Sequence, residues 1–121
     1  MPGWNVEITD EYFEWFQTLN EPAQDAIRTD IQVLEEMGPS LGRPHVDSIK
    51  GSRHPNMKEL RTMHARRHIR SFFAFDPRRS AILLIGGDKT GDKAFYRRMI
   101  PLADRLFDEY LAEIRKERLI E

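Results

Sequence analysis

The chain has 121 residues and no cysteine, which is the size of one domain and excludes a disulfide framework or a thiolate metal site. Its 40% hydrophobic and 32% charged content is typical of a folded globule rather than a disordered chain. No apolar run approaches the ~20 residues that cross a bilayer, and no basic segment followed by an apolar one opens the sequence. We therefore expect a single cytoplasmic domain over residues 1–121 that does not contact membranes.

The net charge of −1 conceals two opposed blocks of charge. Residues 1–42 carry nine acidic side chains and one basic side chain, whereas residues 43–98 carry fourteen basic and five acidic side chains. A basic surface attracts phosphate backbones and steers their approach. The pattern favours contact with RNA or DNA; the alternative is that acidic helices neutralise a basic sheet within the fold.

The first forty residues predict a strand and two helices. Residues 4–8 alternate apolar with polar side chains, which is typical of a strand. Asp10 is the predicted N-cap of a first helix, and Asn20 or Glu21 that of a second helix that ends at Gly38. Because the link between them is very short, we expect an antiparallel helical hairpin.

The middle of the chain predicts a basic loop followed by an antiparallel meander. Residues 39–56 are rich in proline and glycine, so we expect a loop with a short extended piece at 46–49. The three strands of the meander are predicted at 57–63, 67–76 and 80–87. Apolar side chains would form one face, covered by the helices. Basic side chains would line the other face or the edge, because unpaired charges are excluded from a core.

The last strand and the C-terminal helix complete the prediction. The apolar run at 81–85 indicates a central strand covered on both faces, and Gly86 and Gly87 should end it and allow a ligand to approach closely. Residues 94–118 predict a helix with Pro101 in the first turn of its main part. The fold class is therefore α+β: an N-terminal strand and helical hairpin packed on an antiparallel three-to-four-stranded sheet, with a C-terminal helix.

Several short motifs occur in a characteristic order along the meander and the last helix. They are Leu60-Arg61, Ile69-Arg70, Gly87-Asp88-Lys89 and Tyr96. In this order they resemble the RelE/ParE superfamily of toxins, and within it the HigB-like, phage-derived branch. The likeness covers nearly the whole chain.

The resemblance implies a ribosome-dependent mRNA endonuclease, the toxin of a type II toxin–antitoxin pair. Its partners would be mRNA on the ribosome and a cognate antitoxin, usually a helix-turn-helix DNA-binding protein. The implied cleavage uses no metal and no cofactor: the RNA 2′-hydroxyl attacks its own phosphate, leaving a cyclic phosphate and a free 5′-hydroxyl. Two alternatives remain open, namely a ParE-like toxin that binds DNA gyrase without cutting RNA and an inactive domain that only binds an antitoxin.

Such a reaction needs a proton acceptor, a proton donor and stabilisation of the extra negative charge on phosphorus. The resemblance assigns these catalytic roles to Arg61, Arg70, Lys89 and Tyr96. Arginine grips phosphate at two points. Tyrosine can stack on a base, or act as a base itself if nearby cations lower its pKa. Further acid–base candidates are His54, His64 and His68.

Glu59 departs from the family pattern, because a cation is expected at its place. It is either a general base or a partner of Arg61 or Arg70 in a surface salt bridge of little energetic value. The residues predicted to bind RNA are Lys50, Arg53, His54, Lys58, Arg66, Arg67 and Lys93. Some strand-edge arginines could instead only protect the sheet from edge-to-edge aggregation.

Overall fold

The computed structural model describes residues 3–120. Its elements are β1 (Asn5–Ile8), α1 (Asp10–Gln17), α2 (Glu21–Met37), a 3-10 turn (Gly38–Ser40), β2 (Val46–Ser48), β3 (Lys58–His64), β4 (Arg67–Phe75), β5 (Ser80–Asp88) and α3 (Phe95–Lys116). This order confirms the predicted succession of strand, helical hairpin, loop, meander and helix.

One mixed sheet joins all five strands in the order β1-β5-β4-β3-β2. The neighbours from β2 to β5 are antiparallel, whereas β1 lies parallel to β5. The α+β class is confirmed, and the sheet is wider than the predicted meander because β1 and β2 add a short strand at each edge. The central position predicted for the run at 81–85 is also confirmed, since β5 lies between β1 and β4.

The helical hairpin begins and ends at local capping signals. The hydroxyl of Thr9 accepts a hydrogen bond from the amide of Tyr12 at 3.0 Å, so Thr9 is the N-cap and Asp10 is the first helical residue rather than the cap. Asn20 caps α2 in the same way through the amide of Ala23, at 2.9 Å. The helix stops at Gly38, whose φ of +58° favours glycine.

Helices cover both faces of the sheet, which corrects the expectation of one covered and one basic face. The helical hairpin packs on the face that presents Leu60, Phe73 and Leu83. The opposite face presents Phe72 and Leu84 to α3. Because α3 lies against β4 and β5, two residues of β3 are left at the margin of this face, where Arg61 is partly exposed and Met63 is exposed.

The two glycines of β5 serve helix packing. A Cβ at Gly86 would lie 2.2 Å from the ring of Trp15 in α1, and a Cβ at Gly87 would lie 2.8 Å from the ring of Phe95 in α3. The strand continues to Asp88 instead of ending at the glycines. The space beside these residues is thus filled by aromatic rings and not left for a ligand.

The C-terminal helix runs without interruption from Phe95 to Lys116, with Pro101 inside it. The expectation that Pro101 lies in the first turn was wrong. Proline removes one backbone donor, and the carbonyl that loses its partner belongs to residue 97. Both residues are on the exposed side of α3, where water can hydrogen-bond that carbonyl. Within residues 3–120, none of the helices has the length and apolar character needed to span a membrane.

Candidate active site

The register of the sheet aligns two rows of polar side chains on the face that carries α3. In one row Arg61 of β3 lies directly opposite Arg70 of β4, which lies opposite Gly87 of β5. In the neighbouring row Asp47 of β2 lies opposite Glu59 of β3. Directly opposite side chains have Cβ atoms roughly 4.5–5.5 Å apart. The sheet therefore gathers two carboxylates and two guanidinium groups into one patch.

Glu59 is the centre of this patch and is only 2% exposed. One carboxylate oxygen accepts a hydrogen bond from the hydroxyl of Tyr96 at 2.7 Å, and the other accepts one from Nε of Arg61 at 3.1 Å. Nε of Arg70 lies 3.6 Å from the first oxygen. The expected pairing with Arg61 or Arg70 is confirmed, since Glu59 contacts both, but its expected place at the surface was wrong because the carboxylate is buried.

Arg70 is also buried, and its side chain has spare donor capacity. Its exposed fraction is 6%, and one terminal nitrogen donates to the carbonyl of Ile69 at 3.2 Å. Nε has no hydrogen-bond partner within the described part of the chain, since its distance to Glu59 is too long for a hydrogen bond. An unsatisfied buried donor is unusual in proteins and is often found at functional sites.

Arg61 connects the buried centre to the surface. Beyond its bond to Glu59, it donates from a terminal nitrogen to Asp47 at 3.1 Å. Asp47 also accepts a hydrogen bond from Nε of Arg43 at 3.2 Å, and this bond, more than any other contribution, holds the pKa of the Asp47 carboxyl below its usual value. Asp47 is therefore ionised at neutral pH, and the outer half of Arg61 is ion-paired.

Two cavities meet at Arg61. One has a volume of about 460 Å³, and its walls include Ile49, Lys50, Glu59, Arg61, Tyr96 and Ile100. The other has a volume of about 440 Å³ and is bordered by both Arg61 and Arg70. Volumes of this size are common for sites that hold a small molecule or one unit of a larger ligand.

Tyr96 lies over the sheet at the start of α3. Its ring makes edge contacts with Phe72 and Phe95, and Nζ of Lys89 lies 5.8 Å from the ring centroid. Burial and the adjacent Glu59 carboxylate raise the pKa of Tyr96, outweighing the opposite effect of Arg70. The hypothesis that nearby cations lower this pKa was wrong, so Tyr96 is a protonated donor at neutral pH. The structure thus brings Arg61, Arg70 and Tyr96 together around Glu59, with Lys89 beside the ring of Tyr96 but outside the lining of both cavities.

The loop between β2 and β3 contributes one predicted RNA-binding residue to this site. Lys50 lines the larger cavity. Arg53 and His54 are instead held against α3, where both contact the carboxylate of Asp108. The amide of Arg53 also donates to Asp104 at 3.1 Å. Because His54 is engaged 2.7 Å from Asp108, it is part of the contact between the loop and α3.

The remaining predicted RNA-binding residues lie outside both cavities. Lys58 is next to Glu59 in β3, so its side chain points to the opposite face. Arg66 is exposed in the turn between β3 and β4, and Lys93 is exposed before α3. Arg67 is paired with Asp88 at 2.6 Å. Contact of these four residues with RNA stays a prediction.

Sequence reasoning missed Asp47 and assigned no role in the reaction to His45, although both lie next to Arg61. Their stretch looked irregular because it contains three prolines and two glycines between residues 39 and 56. The short extended piece predicted there was the one signal, since it corresponds to β2. Its pairing with β3 was not visible from local sequence. Within residues 3–120, no group of three or more histidine, cysteine or acidic side chains is arranged to hold a metal ion.

Comparison with known proteins assigns this chain to a family. The family of phage-derived Gp49-like proteins matches residues 14–108. The chain belongs to this family. A Mycobacterium tuberculosis (strain ATCC 25618 / H37Rv) protein named putative toxin HigB3 is 50% identical over 108 residues, covering 88% of this chain and 93% of the relative. Putative toxin HigB2 of the same strain is 42% identical over 113 residues, or 92% of this chain, which spans only 56% of that relative.

Two solved structures share the fold of this Gp49-like chain. A mutant of E. coli toxin RelE in the free state has a TM-score of 0.58 at 6% identity, covering 77% of this chain and 90% of RelE. The archaeal RelE–RelB complex from Pyrococcus horikoshii OT3 contains a chain with a TM-score of 0.53 at 13% identity, covering 74% of this chain and 98% of that one. Together with the HigB relatives, these matches confirm the resemblance to the RelE/ParE superfamily and its HigB-like branch.

Proposed function

We propose that this Gp49-like protein is the toxin of a toxin–antitoxin system and acts as a ribosome-dependent mRNA endonuclease in the cytoplasm. The observation that carries the proposal is the cluster of Arg61, Arg70, Glu59 and Tyr96 where two cavities meet. The HigB relatives, named as putative toxins, support the toxin role. The RelE–RelB neighbour supports an antitoxin partner, which we propose is a helix-turn-helix protein.

In the proposed complex, a single strand of mRNA crosses Arg61 and places one nucleotide in each cavity. The phosphate between the two nucleotides lies against Arg61 and Arg70, whose planar groups suit its oxygens. Both arginines already face carboxylates, so the phosphate must replace one of them. Asp47 is the one to replace, because a partly exposed pair such as Asp47–Arg61 is worth only about 0–1 kcal/mol.

Of the two remaining requirements of the reaction, the proton acceptor is Glu59, which its neighbours orient. The Glu59 carboxylate borders the larger cavity and accepts the proton of the 2′-hydroxyl as that oxygen attacks phosphorus. The bond from phosphorus to the 5′-oxygen breaks, which leaves a 2′,3′-cyclic phosphate and a 5′-hydroxyl. Tyr96 stays protonated, orients Glu59 through its hydroxyl and offers its ring to a base. Lys89 adds positive charge beside that ring.

The first test measures mRNA cleavage on ribosomes by the purified protein, with Arg61→Ala as the variant. We expect cleavage to fall by about 10²- to 10³-fold, as when another site loses a donor that stabilises charge in the transition state. The matched control is Arg28→Ala, which removes the same charge from an exposed pair with Asp25 on α2. That variant should cut mRNA within about twofold of the wild-type rate, because surface pairs contribute little.

Other outcomes would select the alternatives. If the wild-type protein leaves mRNA intact but inhibits DNA gyrase, it is a ParE-like toxin. If its induction without antitoxin causes no growth arrest, it is an inactive antitoxin-binding domain. One observation favours this last alternative: Glu59 and Asp47 already compensate the charges of Arg61 and Arg70.

A further inference from the structure

His45 lies directly across from Arg61 at the edge of the candidate active site. The amide of Arg61 donates to the carbonyl of His45 at 2.7 Å, which continues the pairing of Val46 with Leu60 by one residue. Directly opposite side chains in such a ladder project from the same face. His45, Arg61 and Arg70 therefore form one row across three neighbouring segments of the sheet.

The smaller cavity shows that this row faces a common space. It is lined by Asp30, Pro44, His45, Arg61, Met63 and Arg70. Glu59 and Tyr96 border the other cavity, with Arg61 shared by the two. His45 and Glu59 thus border different cavities that share Arg61, the group proposed to hold the phosphate. A base and an acid in separate cavities suit an in-line displacement, in which the attacking and leaving oxygens lie on opposite sides of phosphorus.

The other three histidines are placed less well to give a proton to the leaving oxygen. His54 is held against α3 by Asp108. His64 is an odd number of residues from Arg61, so its side chain projects from the opposite face of β3. His68 lies on the face of Arg70 but is exposed, two residue pairs further along the ladder, and lines neither cavity.

We propose that His45 is the general acid that protonates the leaving 5′-oxygen, an assignment that rests on the proposed nuclease function. As the 2′-oxygen forms its bond to phosphorus, its proton passes to Glu59. As the bond from phosphorus to the 5′-oxygen breaks, the imidazolium of His45 gives its proton to that oxygen. Return of a proton from Glu59 to His45 through water restores both groups, so no other reactant is needed.

The test compares His45→Gln with wild type on two ribosome-bound mRNAs. One is ordinary; the other carries sulfur in place of the leaving 5′-oxygen at the bond that wild type cuts. A thiolate leaves without being protonated, so its release needs no acid. We expect His45→Gln to slow single-turnover cleavage of ordinary mRNA by about 10²- to 10⁴-fold, the usual contribution of a general acid. Cleavage of the sulfur-containing mRNA should stay within about tenfold of the wild-type rate, because the proton transfer that the variant has lost is not needed there.

His64→Gln is the matched control and should cut both mRNAs at wild-type rates, because the side chain of residue 64 projects from the face of β3 opposite to Arg61. Equal loss on both mRNAs would overturn the assignment, as would full activity of His45→Gln on ordinary mRNA. Rescue by sulfur also reports that the variant is folded, since an unfolded protein would cut neither substrate. Wild-type protein that leaves both mRNAs intact would instead overturn the proposed function itself.

Discussion

At the scale of a single residue, burial decides the role of Glu59. A carboxylate at this position is expected from the sequence to be a solvent-exposed partner of an arginine or a general base. In the fold it is 2% exposed and contacts Tyr96, Arg61 and Arg70. Its loss would leave Arg70 buried without a counter-charge. Glu59 is therefore a structural anchor of the site whether or not it accepts a proton.

The corresponding prediction concerns the free energy of unfolding of Glu59→Ala. We expect a loss of about 3–5 kcal/mol in urea denaturation, the usual cost of removing one partner from a buried ion pair. Asp25→Ala is the control, because it removes a carboxylate from an exposed pair with Arg28, and it should change stability by at most about 0.5 kcal/mol. A loss below about 1 kcal/mol for Glu59→Ala would contradict the structural role.

At the scale of an element, the loop between β2 and β3 is ordered by α3. Asp104 is 4% exposed and accepts hydrogen bonds from the hydroxyl of Ser52 and the amide of Arg53. The ring of His54 packs edge-on against Phe107, with centroids 4.8 Å apart. These contacts hold the segment that places Lys50 at the larger cavity. A loop predicted to bind RNA with several cations thus uses two of its basic residues for its own anchoring.

We expect Asp104→Ala to lower the free energy of unfolding by about 1–3 kcal/mol, because it removes a buried carboxylate that accepts two hydrogen bonds from the loop. Asp108→Ala is the comparison from the same helix. Its carboxylate is 41% exposed, so its pairs with Arg53 and His54 should contribute only about 0–1 kcal/mol. Urea denaturation of both variants measures the difference. Equal losses would show that the two carboxylates anchor the loop to the same extent.

At the scale of the whole molecule, one buried and one half-buried tyrosine connect layers that are far apart in the chain. Tyr12 of α1 is hydrogen-bonded to Ser71 of β4 at 2.8 Å. The hydroxyl of Tyr110 in α3 contacts both Glu7 of β1 and Asp76 after β4 at 3.1 Å. Burial raises the pKa of Tyr12, and burial together with Asp76 and Glu7 raises that of Tyr110. The fold therefore favours the protonated phenols.

This preference predicts that the protein loses stability in alkaline solution. A tyrosine whose pKa is higher in the folded chain contributes stability that is fully present below its unfolded pKa of about 10. That contribution is lost as the pH rises through the folded value. Urea denaturation at several pH values from 8 upward should show the free energy of unfolding falling above about pH 10. In Tyr12→Phe the fall should be shallower, and an unchanged slope would contradict the assignment to Tyr12.

The sequence by itself determined the elements and the family. Alternation in β1, the Asn20 cap and the apolar run of β5 are local patterns, so they could be recognised without knowing what packs against them. The motifs around Arg61, Arg70 and Tyr96 were visible for the same reason. Most predicted element boundaries agree with the structure to within a few residues. The position of Pro101 does not, since it lies inside α3 and not in its first turn.

Only the tertiary structure decided how these residues work together. The pairing of β2 with β3 brings Asp47 and His45 beside Arg61, and the placement of α3 buries Glu59 beneath Tyr96. Both depend on contacts between segments far apart in the chain. Strand register and face coverage are set by the packing of the whole core, so local patterns did not contain them. For that reason the sequence located the cations of the site and Glu59, and the fold supplied Asp47 and His45 beside them.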